Sequence, residues 1–191
     1  MTKILIVYWS DYGNTKKLAE SILEGVKSVE GGTGTLKTAE EATMDDVKSA
    51  DGLIVGSPVH MGSPDWRVKK FIDTICAKLW MKDALIGKVG GVFASGGGFG
   101  GAGGGVEITL LALLNNLVEL GLIIVPLPKN TPGYADGGLQ WGPYGRSMGH
   151  NMEQTGISQA TLEPAFHHGA NIARTAALVK QNSPFKAPAK L

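Results

Sequence analysis

Residues 3–25 constrain the fold of this chain more than any other stretch. Residues 4–7 (I-L-I-V) are all aliphatic, which is typical of a parallel strand that is covered on both faces. A polar loop follows, and then Leu18, Ile22 and Val26 recur at helical spacing and form an apolar stripe. We therefore predict a strand, a loop and a helix, with the free N–H groups of the first helical turn facing into the loop.

The loop itself indicates a site for an anion. Ser10 and Thr15 offer hydroxyl groups for hydrogen bonds, and Gly13 allows a ligand to approach the backbone closely. Neither the P-loop motif of NTP-binding proteins nor the glycine fingerprint of dinucleotide-binding folds follows the first strand. A hydroxyl-rich loop without lysine suits a phosphate monoester that is held without a metal, such as the 5′-phosphate of FMN. The alternative is an ordinary strand-to-helix turn that binds nothing.

The composition argues against several other classes of protein. The net charge is +1 and there are no charge runs, so nothing points to nucleic acid as a partner. The single cysteine, Cys76, excludes an internal disulfide and a cysteine-based metal cluster. No apolar run approaches the ~18 residues of a membrane span, and no signal-peptide pattern precedes the first strand. We expect a cytoplasmic protein with no membrane insertion and no bound metal, and we expect Cys76 to be an inert core thiol.

Four more strand candidates follow along the chain, at residues 34–39, 52–56, 89–94 and 122–125, separated by helical patterns. The first of them is weak, which suggests the edge of a sheet. Residues 126–162 show no period, and their frequent proline and glycine mark a long irregular excursion of the kind that is usually functional or interfacial. A last helix is expected from Thr161, and a loose tail from residue 182.

This order of elements predicts an α/β fold with a doubly wound, five-stranded parallel sheet in the order 2-1-3-4-5 and a long insertion after strand five. We expect one domain over residues 1–181. In this topology the loops after strands one, three and four meet at the switch point, where ligands bind. Those loops are the hydroxyl-rich loop at Ser10, the loop from Ser57 to Pro64 and the glycine-rich loop from Ser95.

Three motifs resemble the flavodoxin superfamily, and within it the WrbA branch of FMN-dependent NAD(P)H:quinone oxidoreductases. The first is Ser10-x-Tyr12-Gly13. The second is L-W-M-K-D-A-L-I-G-K at residues 79–88, which is similar to the branch's L-W-x-x-G-x-L-x-G-K. The third is G-P-Y-G at residues 142–145, which is similar to G-x-P-Y-G. The similarity extends over residues 3–180.

The resemblance implies an FMN site and the residues that form it. These are Ser10, Asp11, Tyr12, Gly13, Asn14 and Thr15 around the phosphate, Pro58, Val59, His60, Met61 and Gly62 along the ring edge and ribityl chain, and Ser95, Gly96, Gly97, Gly98 and Phe99 beside the ring. It also implies a homotetramer and a two-electron ping-pong reaction that carries electrons from NAD(P)H to a quinone or another aromatic acceptor.

The resemblance also indicates catalytic candidates. Trp80, contributed by a neighbouring subunit, is expected over the flavin, and Tyr12 near the nicotinamide cofactor. His60 lies in a cofactor loop and is the third candidate, with a satisfied turn residue as the alternative. The sequence departs from the branch at three places: G-G-G at residues 96–98 replaces T-G-T, E-L at 119–120 replaces H-H, and H-M at 60–61 replaces R-F.

Two other functions stay open on the sequence. One is a flavodoxin-like electron-transfer flavoprotein without a small-molecule substrate, and the other is a scaffold that has lost FMN because of its glycine loop. The remaining histidines, His150, His167 and His168, are expected to face solvent. His167 and His168 lie in a helix without a third metal ligand at a suitable spacing, which argues against a metal site there.

Overall fold

The computed structural model describes residues 1–98, 103–182 and 184–185. Its strands are β1 (Thr2–Tyr8), β2 (Gly32–Thr38), β3 (Gly52–His60), β4 (Ser63–Pro64), β5 (Val89–Gly96), β6 (Ile123–Ile124), β7 (Gly138–Leu139) and β8 (Gly142–Arg146). Its helices are α1 (Asn14–Lys27), α2 (Met44–Ser49), α3 (Trp66–Phe71), α4 (Ala77–Trp80), α5 (Val106–Glu119), α6 (Tyr134–Gly137) and α7 (Gln159–Gln181). None of these helices is long and apolar enough to cross a membrane. The predicted tail lies largely outside the described residues.

The central sheet is mainly parallel, and its order confirms the prediction. β2, β1, β3 and β5 lie side by side in that order, and β6 pairs in parallel with the start of β5. With β5 as the fourth strand and β6 as the fifth, this is the doubly wound 2-1-3-4-5 arrangement. The carboxyl ends of β1, β3 and β5 therefore share one edge of the sheet.

Two separate segments occupy the fifth strand position, which the sequence did not predict. β6 pairs with Val89 and Gly90 at the start of β5. Pro126, two residues after the end of β6, has no N–H group to donate, so the pairing does not continue there. After the insertion β8 returns to the same side and pairs in parallel with the end of β5. Gly142 permits this close return, because a Cβ there would lie 2.1 Å from the carbonyl oxygen of Val92. The insertion interrupts the fifth strand instead of following it.

Helices cover both faces of the sheet and divide the core into two clusters. α1 and α7 pack on one face, against alternate strand residues such as Ile4 and Ile6. α2, α3, α4 and α5 pack on the other, against Leu5 and Val7. β1 is therefore buried on both faces, as its aliphatic run predicted.

The helix predicted after β3 forms, and a π-helical turn, Ile72–Cys76, joins α3 to α4 within it. Cys76 is fully buried in this turn. Burial raises the pKa of its thiol to about 12, so the predicted inert core thiol is confirmed.

α7 begins two residues before the predicted Thr161, and Ser158 caps it by accepting a hydrogen bond from the Thr161 N–H. Buried residues recur at 165, 168, 169, 172, 173 and 176, so His168 belongs to the stripe that faces the sheet. The prediction that His168 faces solvent was wrong, because helical spacing turns this position inward despite its polarity. His167 is half-buried, and His150 is exposed as predicted.

Candidate functional site

The loops at the carboxyl edge of the sheet line a cleft of about 110 Å³, which is smaller than the roughly 300–1,000 Å³ of typical small-molecule sites. Its lining residues are Ser10, Asp11, Tyr12, Asn14 and Thr15 after β1, Pro58, Val59 and His60 at the end of β3, Ser95, Gly96 and Gly97 around the end of β5, and Ser147 and Met148 after β8. The three predicted loops therefore converge, and a fourth loop joins them.

The amino end of α1 opens into this cleft without a side-chain cap. Gly13 precedes the helix in the left-handed conformation (φ 81°), and within the described residues no side chain caps the backbone N–H groups of the first turn. The first backbone bond of the helix runs from the Lys17 N–H to the Gly13 carbonyl oxygen, so the amides of Asn14, Thr15 and Lys16 have no acceptor within the helix. Free amides at the positive end of a helix dipole favour an anion.

A buried hydrogen bond ties the first and third loops together. The hydroxyl oxygens of Thr15 and Ser95 lie 2.7 Å apart, and both side chains are almost fully buried. Thr15 therefore fixes the start of α1 against the end of β5, in addition to lining the cleft.

Sequence analysis missed Ser147 and Met148. The Ser147 N–H donates to the carbonyl oxygen of Gly96 at 2.9 Å, and the Met148 side chain packs beside Gly97. Both residues lie in the region without a period, so no local signal marks them. Only the return of β8 to the sheet brings them to the cleft.

Met61, Gly62 and Gly98 are not among the residues that line the cleft. Met61 and Gly62 form the two-residue turn between β3 and β4, with φ of 49° and 79°, and Met61 is fully exposed. Gly62 packs against Gly105, because a Cβ on Gly105 would lie 2.9 Å from the Gly62 Cα. Phe99 lies outside the described residues.

Asp11 and His60, which line the cleft, belong to a group of interacting side chains that we call the His60 cluster: Trp9, Asp11, His60, Asp65 and Arg67. His60 Nδ1 lies 2.7 Å from Asp65 Oδ2, and His60 Nε2 lies 3.2 Å from Asp11 Oδ2. Arg67 Nη2 contacts both carboxylates, at 2.8 Å from Asp65 and 3.2 Å from Asp11. Trp9 donates from Nε1 to Asp11 at 2.9 Å, and the Arg67 guanidinium stacks on its ring at 4.0 Å.

Asp65 holds the cluster together, although sequence analysis did not single it out as a site residue. Its side chain is completely buried, and Oδ1 accepts hydrogen bonds from the backbone N–H and the Nε of Arg67. Burial alone would raise the pKa of Asp65, but the hydrogen bonds and charge of Arg67, with a smaller effect from His60, lower it overall. Asp65 is therefore ionised at neutral pH. Asp65 and Arg67 carry no sequence signal beyond capping, since only the fold brings them to Asp11 and His60.

Asp11, His60 and Asp65 also lie close enough to share a cation, with one ligand atom of each within 4.8 Å of the others. The guanidinium of Arg67 already lies between the two carboxylates and neutralises part of their charge. The donor set therefore favours an internal salt-bridge network over a metal ion. The expected absence of a bound metal stays a prediction.

Comparisons with known proteins agree with this geometry. The flavodoxin domain family matches residues 5–95. A protein named NAD(P)H dehydrogenase (quinone) from Cupriavidus metallidurans is 33% identical over 199 residues, which cover 92% of this chain and 98% of that protein. The chain belongs to the flavodoxin-like NAD(P)H dehydrogenase (quinone) family.

Other relatives place the family more broadly. A protein named flavodoxin from Aquifex aeolicus is 42% identical over 124 residues, 65% of this chain and 64% of that protein. The solved structure of a flavodoxin, WrbA-like protein from Agrobacterium tumefaciens superposes with a TM-score of 0.69 at 26% identity, covering 93% of this chain and 99% of that one. The predicted resemblance to the WrbA branch is confirmed at the level of the family.

Trp80 does not lie at the cleft of its own chain. Trp80 is the last residue of α4. It lies roughly 20 Å from Asp65 along the helical stretch that begins at Trp66. Its side chain is 43% exposed, so a role for Trp80 over a cofactor requires a second copy of the chain. Tyr12, in contrast, lines the cleft and is 81% exposed, so its ring is free to meet a substrate.

The residues that depart from the family pattern differ in how they lie relative to the cleft. Gly96 and Gly97 line the cleft without side chains, so no hydroxyl group is offered there. Leu120, which stands where the family has a histidine, is buried beyond the end of α5 and is not among the lining residues. His60, which stands where the family has an arginine, is held between two carboxylates.

Proposed function

We propose that this protein is an FMN-dependent oxidoreductase that transfers two electrons from NAD(P)H to quinones or similar aromatic acceptors, with donor and acceptor using the cleft in turn. The observation that carries the proposal is the uncapped amino end of α1, which opens into a cleft formed by three switch-point loops. The name NAD(P)H dehydrogenase (quinone), borne by a relative that matches 92% of the chain, supports the choice of reaction.

The residues present fit FMN. The free amides of Asn14, Thr15 and Lys16 and the hydroxyl of Ser10 suit a phosphate. Gly96 and Gly97 line the cleft beside the end of β5, where a flat ring would lie. When bound, FMN supplies the redox chemistry by accepting a hydride from NAD(P)H and passing the electrons to the acceptor. The protein supplies position, exclusion of water and charge.

A single domain, a homotetramer and a cytoplasmic location complete the proposal. Trp80, Met81 and Ile86 are exposed apolar side chains in one connection, and Ile86 packs beside Gly121 at the end of α5. Apolar side chains left exposed in a group are typical of surfaces that meet another protein. Association of copies through this region would carry Trp80 to a neighbour's cleft.

The visible spectrum of the purified protein tests the cofactor. We expect a yellow protein, or a colourless one that takes up added FMN and binds riboflavin far more weakly, because riboflavin lacks the phosphate that the α1 amides would bind. A preparation that takes up neither would favour the scaffold that has lost FMN.

Stopped-flow mixing tests the reaction. NADH or NADPH should bleach the flavin rapidly, and benzoquinone should restore its colour. The alternative is a flavodoxin-like electron carrier, which the 42% identity to a protein named flavodoxin favours over part of the chain. If neither nucleotide bleaches the flavin, but chemically reduced flavin is reoxidised quickly, the protein is an electron carrier and the proposed enzyme activity is wrong.

A further inference from the structure

The stoichiometry of the proposed reaction draws attention to the His60 cluster. NAD(P)H, a quinone and one proton give NAD(P)⁺ and a hydroquinone. The hydride of NAD(P)H carries both electrons and one hydrogen, so the second hydrogen must arrive as a proton. Among the side chains that line the cleft, His60 carries the imidazole, the group that enzymes most often use to transfer protons.

We propose that His60 Nε2 delivers this proton to a quinone oxygen, and that Asp65 is the positioning residue that keeps His60 ready to do so. This inference rests on the proposed function. In the step, the N–H bond at Nε2 breaks, its electron pair stays on the ring, and an O–H bond forms on the acceptor. A proton from water then restores Nε2.

The geometry of the cluster shows which nitrogen of His60 is held by Asp65 and which one can donate a proton. Asp65 is fully buried and ionised, and a carboxylate oxygen only accepts hydrogen bonds, so the 2.7 Å contact places a hydrogen on His60 Nδ1. Nε2 faces Asp11 at 3.2 Å on the open side, and Asp11 also lines the cleft. A lone pair on Nε2 would be repelled by the Asp11 carboxylate, whereas an N–H on Nε2 could donate a hydrogen bond to that carboxylate. The pair of carboxylates therefore favours a hydrogen on Nε2 as well.

The other charged group that faces the ring keeps the carboxylates in place. Arg67 donates to Asp65 through Nε and Nη2 and to Asp11 through Nη2. Ser57 accepts from the Asp65 N–H at 2.8 Å, and Trp9 donates to Asp11 at 2.9 Å. Each carboxylate is held on one side and turned towards His60 on the other. The side chain of His60 is 40% exposed, so water can return the proton.

The variant Asp65→Asn tests whether Asp65 positions His60, by a measurement that does not depend on enzyme activity. Asparagine is as good a helix cap as aspartate, and its carbonyl oxygen can still accept from the Arg67 backbone. Its NH₂ group would then face His60 Nδ1 as a donor, which forces the ring hydrogen from Nδ1 to Nε2. We expect long-range ¹H–¹⁵N spectra at alkaline pH to show the Nδ1–H tautomer of His60 in the wild type and the Nε2–H tautomer in Asp65→Asn. His60→Gln identifies the signal.

Half-reaction kinetics test the proton transfer. In His60→Gln and Asp65→Asn, both saturated with FMN, the oxidation by benzoquinone should slow about 100-fold more than the bleaching by NAD(P)H does. The wild-type oxidation rate should fall as the pH rises, because the proton donor is lost, and this fall should be absent in His60→Gln. Asp73→Asn is the matched control, because Asp73 pairs with Lys69 on the exposed side of the same helical stretch.

Three outcomes would overturn the inference: an Nε2–H tautomer in the wild type, equal slowing of both half-reactions in Asp65→Asn, or an unchanged oxidation rate in His60→Gln. Equal slowing would indicate a structural role only. Flavin that neither NADH nor NADPH bleaches would contradict the proposed function instead, and the tautomer of His60 would then still decide the Asp65–His60 coupling by itself.

Discussion

Two histidines of this protein lie in opposite electrostatic environments. His60, at the cleft wall, has a carboxylate at each ring nitrogen and remains open to solvent. His168, on the face of α7 that packs on the sheet, is completely buried, and within the described residues neither ring nitrogen has a hydrogen-bond partner. Burial lowers the pKa of His168 to about 4. The surroundings of His60 favour a positive charge on its ring, whereas burial disfavours one on His168. Of these two histidines, only His60 is therefore placed to transfer protons.

The largest expected effect follows from removing the buried partner of His60. Asp65→Ala deletes the helix cap and leaves Arg67, which is mostly buried, without its main counter-ion. We expect a loss of about 3–5 kcal/mol in the free energy of unfolding, as for other broken buried ion pairs. Urea denaturation at pH 7 measures it. A loss below about 1 kcal/mol would show that the cluster is held by other contacts.

The pH dependence of stability should follow His168. Its pKa is lowered from 6.5 in the unfolded chain to about 4 in the folded one, so the unfolded state binds the proton first as the pH falls. Stability is therefore full above pH 6.5 and decreases between pH 6.5 and 4, by roughly 3 kcal/mol at 1.36 kcal/mol per pKa unit. His168→Leu should flatten this part of the profile without lowering stability at pH 7. An equally steep profile in the variant would assign the acid sensitivity to other groups.

Packing around His168 should be tight enough to exclude a water molecule. A Cβ on Gly91 would lie 2.9 Å from His168 Nε2 and 2.3 Å from the Ile172 Cδ1. Gly91→Ala should therefore cost about 1–3 kcal/mol as an overpacking substitution, measured by urea denaturation. A neutral result would reveal space beside His168, which a water molecule could fill as its missing partner.

The smallest effect is expected outside both environments. Asp73→Asn removes an exposed ion pair with Lys69 and should change the free energy of unfolding by less than about 0.5 kcal/mol. The same urea experiment serves as the baseline for Asp65→Ala. A loss comparable to that of Asp65→Ala would mean that any charge change on this helix is damaging, and the special role of Asp65 would be lost.

The sequence predicts most of the fold because its main signals are local. The aliphatic run at residues 4–7 and the apolar stripe at Leu18, Ile22 and Val26 are each set by neighbouring residues, and both have the predicted roles. The split of the fifth strand was not predicted, since the return of β8 depends on pairing with the distant end of β5 and on Gly142, which has no side chain to block it.

The candidate site divides in the same way. The loops after β1, β3 and β5 could be predicted, because topology brings the ends of parallel strands together. Ser147, Met148 and the contacts of Asp65 could not, because each depends on a partner far away in the sequence. His168 shows the opposite error, in which residue type was given more weight than helical spacing.

The central claim is that the amino end of α1 binds the phosphate of FMN, and amide chemical shifts test it most directly. On adding FMN to ¹⁵N-labelled protein freed of cofactor, the account predicts the largest shifts at residues 10–16, with further shifts at 58–60 and 95–97. Riboflavin should leave the amides of Asn14, Thr15 and Lys16 nearly unmoved. Shifts that avoid the start of α1, or equal shifts there with riboflavin, would contradict the account.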